Sequence, residues 1–185
     1  MRSIIFTMVS VAGLLFVIAL PAQAERLCHT TGDTQAFVTQ SVCVSSQLQS
    51  QSGNNYGIRS LVDDNASTAW CEGGLGGGIG ETITIRMEDA APPKQIMIRN
   101  GYAKSNKSFR RNGRVKTLRV MAVSYDDVPQ REFDVFLEDS SRYQPIDISW
   151  NFENPRLIEL TITSIYPGSK YSDTCVSDLY MDYGF

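Results

Sequence analysis

Polar and apolar residues alternate over several short stretches. Thr82-Ile83-Thr84-Ile85-Arg86-Met87 puts Ile83, Ile85 and Met87 on one face of a strand and polar partners on the other. Pro92-Pro93 interrupts the chain, and Gln95-Ile96-Met97-Ile98 begins again. Val115 to Val123 is almost continuously apolar and β-branched, which predicts a strand buried on both faces. Phe133, Val135 and Leu137 alternate, as do Ile146, Ile148 and Trp150, and then Ile158, Leu160 and Ile162 after the Asn154-Pro155 turn. The aromatic-rich end, Val176 to Phe185, predicts one more strand. No helical period runs beyond about two turns, and Asp63 to Trp70 is expected to hold one short helical turn. Short strands at even spacing, with turn residues between them, predict an all-β antiparallel sandwich or barrel.

The N-terminus follows other rules. Arg2, an apolar run from Ile4 to Leu20 and Pro21-Ala22-Gln23-Ala24 form a charged region, a hydrophobic region and an Ala-x-Ala cleavage signal. Residues 1–24 are therefore expected to be a signal peptide, 25–41 a poorly patterned N-terminal arm, and 42–185 the domain. Cleavage after Ala24 leaves 161 of the 185 residues, one domain's worth. No apolar run after residue 24 is long enough to span a bilayer. A secreted or periplasmic location is expected. There the four cysteines, Cys28, Cys43, Cys71 and Cys175, would form two disulfides in one of three connectivities. The pairing expected is Cys28–Cys43, closing the N-terminal segment, with Cys71–Cys175 joining two distant loops. Zinc ligation is disfavoured, because no Cys-x-x-Cys occurs and His29 is the sole histidine.

Losing Arg2 leaves 16 basic residues against 20 acidic ones, a net charge of −4, which argues against a nucleic-acid binder. Yet Lys94, Arg99, Lys104, Lys107, Arg110, Arg111, Arg114, Lys116 and Arg119 all fall between Asp89 and Asp126 with no acid among them. That strip is either a solvated face balanced elsewhere in the fold or a surface for anionic polymers.

Catalytic groups are scarce. Any nucleophile–histidine pair would rest on His29, and nothing positions two of Glu72, Glu81, Glu88, Asp63 and Asp64 across a cleft as a glycosidase needs. No enzymatic activity is expected. Gly73 to Gly80 is glycine-rich but lacks the Lys-Ser/Thr of a phosphate cradle and leads into a strand. Its glycines serve either close packing or the approach of a flat ligand. Asp63-Asp64-Asn65-Ala66-Ser67-Thr68 is an oxygen-rich segment that suits an Asx turn, or Ca²⁺ if a carboxylate such as Asp178 folds back onto it. Asn100 to Ser105 and Tyr166 to Tyr171 each combine a turn, tyrosines, a lysine and a serine, which suits a sugar-binding surface. Half-buried tyrosines at the sandwich edge would explain the same pattern.

Three blocks occur in a recognisable order. Leu61 to Gly73 with Gly78-Ile79-Gly80-Glu81 resembles the opening of discoidin-like, coagulation-factor type C-like domains. Ile98 to Ser105, followed by Phe109, Asn112, Arg114, Val115 and Lys116, is similar to their NAD-glycohydrolase-type translocation or glycan-binding subgroup, as is Ile165 to Leu179. The resemblance covers about Val42 to Met181. It implies a galactose-binding-like jelly roll with ligand loops at one end, non-catalytic, with no NAD cleavage of its own. A Cys71–Cys175 bridge fits it. Where such domains hold a structural Ca²⁺, the matching positions are Asp63, Asn65, Thr68 and Asp178. Departures there are Asp63-Asp64-Asn65 where Asp-Gly-Asp is common, and Asp178 where Glu is common; one formal charge fewer at Asn65 weakens an ion site.

The function expected is glycan binding, with a cell-envelope polysaccharide or other glycan as partner. Contacts are expected from Tyr102, Lys104, Ser105, Tyr166, Lys170 and Tyr171, and from Arg110 or Arg114 if the glycan is anionic. Removing Tyr102 and Tyr171 should then abolish retention with little change in thermal stability. The alternative is a protein-interaction or translocation-assisting module whose loops dock an exported effector or envelope component.

Overall fold

The computed structural model describes residues 27–33, 38–88, 93–124, 126, 128–148 and 155–184. The expected signal peptide and Trp150 lie outside the described residues. Twelve elements follow in order: β1 (Leu27–Asp33), β2 (Val38–Val44), a 3₁₀ turn (Ile58–Leu61), β3 (Trp70–Cys71), β4 (Thr82–Glu88), β5 (Gln95–Asn100), α1 (Asn106–Arg111), β6 (Gly113–Ser124), β7 (Phe133–Phe136), β8 (Tyr143–Asp147), β9 (Pro155–Tyr166) and β10 (Thr174–Asp182).

The hydrogen-bonded order is β1-β2-β4-β9-β6-β10-β5-β8, with β3 on β10 and β7 on β6. Nearly all pairing is antiparallel. Among the described residues the exceptions are the parallel bridge between Gly101 and Val176 and a two-residue parallel contact, Thr174 with Gly113 and Cys175 with Arg114, through which β6 passes the sheet to β10. Farther along, the same strand pairs with β7 from Thr117 to Val120. The sheet is thereby folded into the two leaves of a jelly-roll sandwich. Ile83 and Ile85 of β4, Leu118 and Val120 of β6 and Leu160 and Ile162 of β9 share one core with Ile96, Ile98, Ile146, Val176 and Leu179. Each of these fully buried side chains contributes about 2 kcal/mol of apolar transfer. Trp70 is completely buried among them, and its indole N–H donates to the Ser46 carbonyl, so its one polar atom is satisfied.

Three local expectations are corrected. The supposed arm over 25–41 contributes a hairpin: β1 pairs with β2 along its length, and β2 pairs in turn with β4. The boundary expected at Val42 falls inside β2. The strand β6 is not buried on both faces, since Lys116 and Arg119 are exposed. Register shifts around Thr117 set the buried Thr117 and Leu118 side by side, which breaks the alternation between the two exposed cations. The helical turn expected between Asp63 and Trp70 lies earlier, at Ile58–Leu61. Residues 63–68 instead form a chain of Asx turns, in which Asn65 N–H donates to Asp63 and Ser67 N–H to the Asn65 side chain.

Both disulfides join residues that face each other across a strand pair, Cys28–Cys43 in β1–β2 and Cys71–Cys175 in β3–β10. The second links positions 104 residues apart, next to the loops that carry the site.

Candidate functional site

Loops from three parts of the chain meet beside the Cys71–Cys175 bridge. The segment after β2 is fastened at both ends to the disulfide strand β3: Leu48 N–H donates to the Cys71 carbonyl, and Cys71 N–H to the Tyr56 carbonyl. Between these anchors Gln51 and Asn54 close a tight turn, with Ser52 and Gly53 at positive φ. The segment after β5 leaves through Gly101, whose φ of +71° and lack of a side chain are both required. A Cβ there would lie 2.6 Å from Arg114 Cγ and from Phe109. The buried Ser177 hydroxyl donates to the Gly101 carbonyl and accepts from Ala103 N–H, fixing the backbone on both sides of Tyr102. The third segment, between β9 and β10, docks on the end of α1. Ser169 N–H donates to the Arg110 carbonyl, and the N–H groups of Lys170 and Tyr171 donate to that of Arg111.

A cavity of about 390 Å³ lies between these segments, a volume that suits a small ligand. Tyr56, Tyr102 and Tyr171 line it together with Lys104, Lys107, Arg111 and Asp173, and with short polar side chains including Gln51, Asn54 and Asn112. Tyr56 and Tyr102 meet edge to face, with ring centroids 6.1 Å apart, and burial raises the pKa of both hydroxyls. Tyr171 is exposed, and the Lys170 ammonium sits 4.9 Å from its ring centroid, covering part of one face. These groups supply aromatic surface, hydroxyls, amides and positive charge, which is recognition chemistry.

The residues expected at a ligand surface divide accordingly. Tyr102, Lys104, Ser105 and Tyr171 line this cavity, and Lys170 touches it through Tyr171. Two of them have prior duties. Tyr102 is only 7% exposed and packs with Ala69, Cys71 and Cys175, so its removal is expected to lower stability as well as binding. Ser105 caps α1, its hydroxyl accepting from Ser108 N–H while the Ser108 hydroxyl accepts from Ser105 N–H.

Arg110, Arg114 and Tyr166 lie elsewhere. Arg110 lines a second cleft on the other face of α1, with Phe109, Arg114, Asp139 and Ser169. Arg114 is buried and consumed. It grips both Asp139 oxygens at 2.9 and 2.8 Å and donates to the carbonyls of Asn112 and Pro167. Tyr166 gives its hydroxyl to the Leu137 carbonyl. Tyr56 and Asp173 were not anticipated, and Lys107 and Arg111 entered only as members of the basic strip. The Ser52-Gly53 turn marks the loop leading to Tyr56, but its meeting with α1 is set by the disulfide.

The proposed calcium ligands form two sets. The Thr68 hydroxyl contacts both Asp63 oxygens and the Asn65 carbonyl, at 2.8 to 3.0 Å. Asp178, 1% exposed, accepts from the Tyr143 hydroxyl and from the backbone N–H groups of Leu179 and Asp64. Burial raises its carboxyl pKa despite those donors, and burial with Asp178 alongside raises that of Tyr143. Asp63 and Asp178 thus already hold internal partners, and among the described residues no cluster of three or more His, Cys, Asp or Glu fit for a metal ion occurs. Asp178 meets the 63–68 segment through Asp64, whose N–H it accepts and with which it shares the Tyr143 hydroxyl.

Glu72 and Glu81 fasten the glycine-rich loop. Glu72 is buried, its pKa raised chiefly by desolvation, and it accepts from Gly74 and Thr174 N–H; Glu81 accepts from the Ser45 and Ser46 hydroxyls. Close packing explains Gly73, where a Cβ would lie 2.3 Å from the Gln47 carbonyl oxygen, whereas Gly76 and Gly80 have open space and are held instead at positive φ. His29 sits in β1 opposite Val42 and does not line the cavity.

The family of the NAD glycohydrolase translocation F5/8 type C domain matches residues 34–182. No curated protein matches the chain. Among solved structures, the family 32 carbohydrate-binding module of NanJ from C. perfringens, in complex with galactose, superposes with a TM-score of 0.54 at 15% identity, covering 76% of this chain and 90% of that one. A second family 32 module from Clostridium perfringens, in complex with GalNAc-β-1,3-galactose, gives 0.58 at 11% identity over 77% and 94%. Part of the mycobacterial arabinofuranosyltransferase AftD gives 0.58 at 16% identity, over 86% of this chain and 12% of that one. At these identities the likeness is one of fold. The family match spans most of the chain, which belongs to the NAD glycohydrolase translocation F5/8 type C domain family, a non-catalytic binding and translocation module.

Proposed function

We propose that this F5/8 type C domain is an exported carbohydrate-binding module that holds a glycan in the cavity between Tyr56, Tyr102 and Tyr171. The observation that carries the reading is this cavity: three tyrosines and a rim of amides and hydroxyls, on loops fastened to a disulfide-linked strand pair. Sugars present apolar C–H faces that stack on aromatic rings and hydroxyls that need directional partners, and the lining offers both. A frame already ordered before binding reduces the entropy lost on association. Two disulfides support an oxidising compartment, secreted or periplasmic. No helix among the described residues is long and apolar enough to cross a membrane.

A second reading is favoured by the glycine-rich loop, where Leu75 is fully exposed and Ile79 largely so. Such residues suit docking to a protein that this domain helps to translocate. A glycan array probed with the oxidised full chain tests the first reading. Retention on defined sugars, weakened at least about tenfold by Tyr171→Ala, is expected. Capture of a protein that free sugars do not displace and Leu75→Ser abolishes, with no sugar retained, would favour the second.

A further inference from the structure

The charge on the cavity wall says more about the ligand than the tyrosines do. Lys104, Lys107 and Arg111 all line it, and among the described residues none of the three takes part in an ion pair. Asp173 is the one acidic residue in the lining, so the wall carries three formal positive charges against one negative. The whole chain carries −3, so this local excess opposes the overall balance. Local structure explains only part of it. A cation in the last turn of a helix meets the carbonyl end of its dipole, which accounts for Arg110 and Arg111. Lys104 precedes α1 and Lys107 lies in its first turn, where positive charge meets backbone N–H groups and is disfavoured; no acid sits in that turn to offset it. Spacing completes the pattern, since positions 107, 108 and 111 share one face of α1 and all line the cavity.

We infer that the cavity selects an anionic sugar, with Lys104, Lys107 and Arg111 holding its acidic group while the tyrosines take its ring. This rests on the carbohydrate reading of the same cavity and names the class of sugar. The acidic group is a carboxylate, as in a uronic acid, or a sulfate ester. Arg111 can present a two-pronged donor to either, and the lysines add point charges that move with the ligand. Asp173 on the same wall would limit non-specific capture of polyanions by repelling acidic groups that lie out of place.

Titration calorimetry on the oxidised full chain, with digalacturonic acid, its neutral counterpart galactobiose and galactose 6-sulfate, tests the inference. An acidic sugar is expected to bind at least about tenfold more tightly than galactobiose at low salt, with the preference shrinking as salt rises. Whichever acidic probe binds better identifies the anion. The Lys104→Gln/Lys107→Gln/Arg111→Gln variant should bind the acidic probe no more tightly than galactobiose. Lys107→Gln alone, at an exposed site, should lose part of it with an unchanged melting temperature. Equal affinity for neutral and acidic sugars, or a preference surviving in the triple variant, would overturn the inference and leave the carbohydrate reading standing. Absence of binding to all three probes and to the neutral glycans of the array, from folded protein, would remove both.

Discussion

On one face of α1 lie Arg114 and Tyr166; on the other, Lys104, Lys107, Arg111 and Tyr171. Both faces combine cations with aromatic rings, and on sequence alone they are equivalent. Yet Arg114 spends its guanidinium on Asp139 and two backbone carbonyls, with Phe109 and Tyr166 flanking it at 5.4 and 5.9 Å. It holds β6 to the loops on either side. Among the described residues the cations opposite have no such partners, and they face a cavity. A charged residue becomes available to a ligand when the fold has left its hydrogen bonds unspent, and composition does not reveal that.

The sharpest way to break this comparison is to cut what both faces hang on. Replacing Cys71 and Cys175 with serine releases a link across 104 residues, worth about 4.7 kcal/mol in the chain-entropy model against about 3 for the link across 15 residues at Cys28–Cys43. Denaturant titration of the two double variants should rank them in that order, and only the first should abolish ligand retention. Arg114→Leu comes next, with an expected loss of about 3 kcal/mol by the same titration, since it strands Asp139 and two carbonyls. An Arg114→Leu variant of native stability that no longer binds sugar would reverse the assignment and make Arg114 a ligand contact.

The tyrosines sharpen the comparison within the cavity itself. Tyr102→Ala is expected to cost about 3 kcal/mol, because the ring is packed against the Cys71–Cys175 bridge. Tyr171→Ala, at an exposed ring, should stay within about 0.5 kcal/mol of wild type while sugar affinity drops. Calorimetry and thermal unfolding on the same preparations separate the two.

The smallest effect concerns pH. Asp178 and Glu72 hold their protons to higher pH in the folded chain than their ordinary values of 3.8 and 4.5. The native state therefore binds more protons than the unfolded one just above those values, and these groups favour folding more as pH falls through that window. Asp178→Asn should flatten that part of the stability-versus-pH curve, read by urea midpoints between about pH 4 and 6. A curve identical to wild type would show that Asp178 ionises as freely folded as unfolded.

Strand content was legible wherever one face met the core. Ile83, Ile85, Ile158, Leu160 and Ile162 alternate because the sandwich buries every second residue, and burial is what selects apolar side chains. The same logic explains the misses. In β1 burial alternates from Leu27 to Gly32, but those positions are mostly polar, and the pattern carried no signal. The helix α1 has no buried residue at all, so no apolar period announced it. Four of the eight residues expected at the ligand surface line one cavity, because a turn with tyrosine, lysine and serine marks an exposed loop.

By itself the sequence determined an all-β sandwich, most of its alternating core positions and its family, which follow from local periodicity and ordered motifs. Only the tertiary structure decided which cations remain free, which tyrosine is structural and which oxygen ligands already have partners. Those properties depend on hydrogen-bond donors and acceptors brought from distant parts of the chain, as Asp139 is brought to Arg114 and Tyr143 to Asp178. A carbonyl or carboxylate that arrives across the fold leaves no mark beside the residue it satisfies.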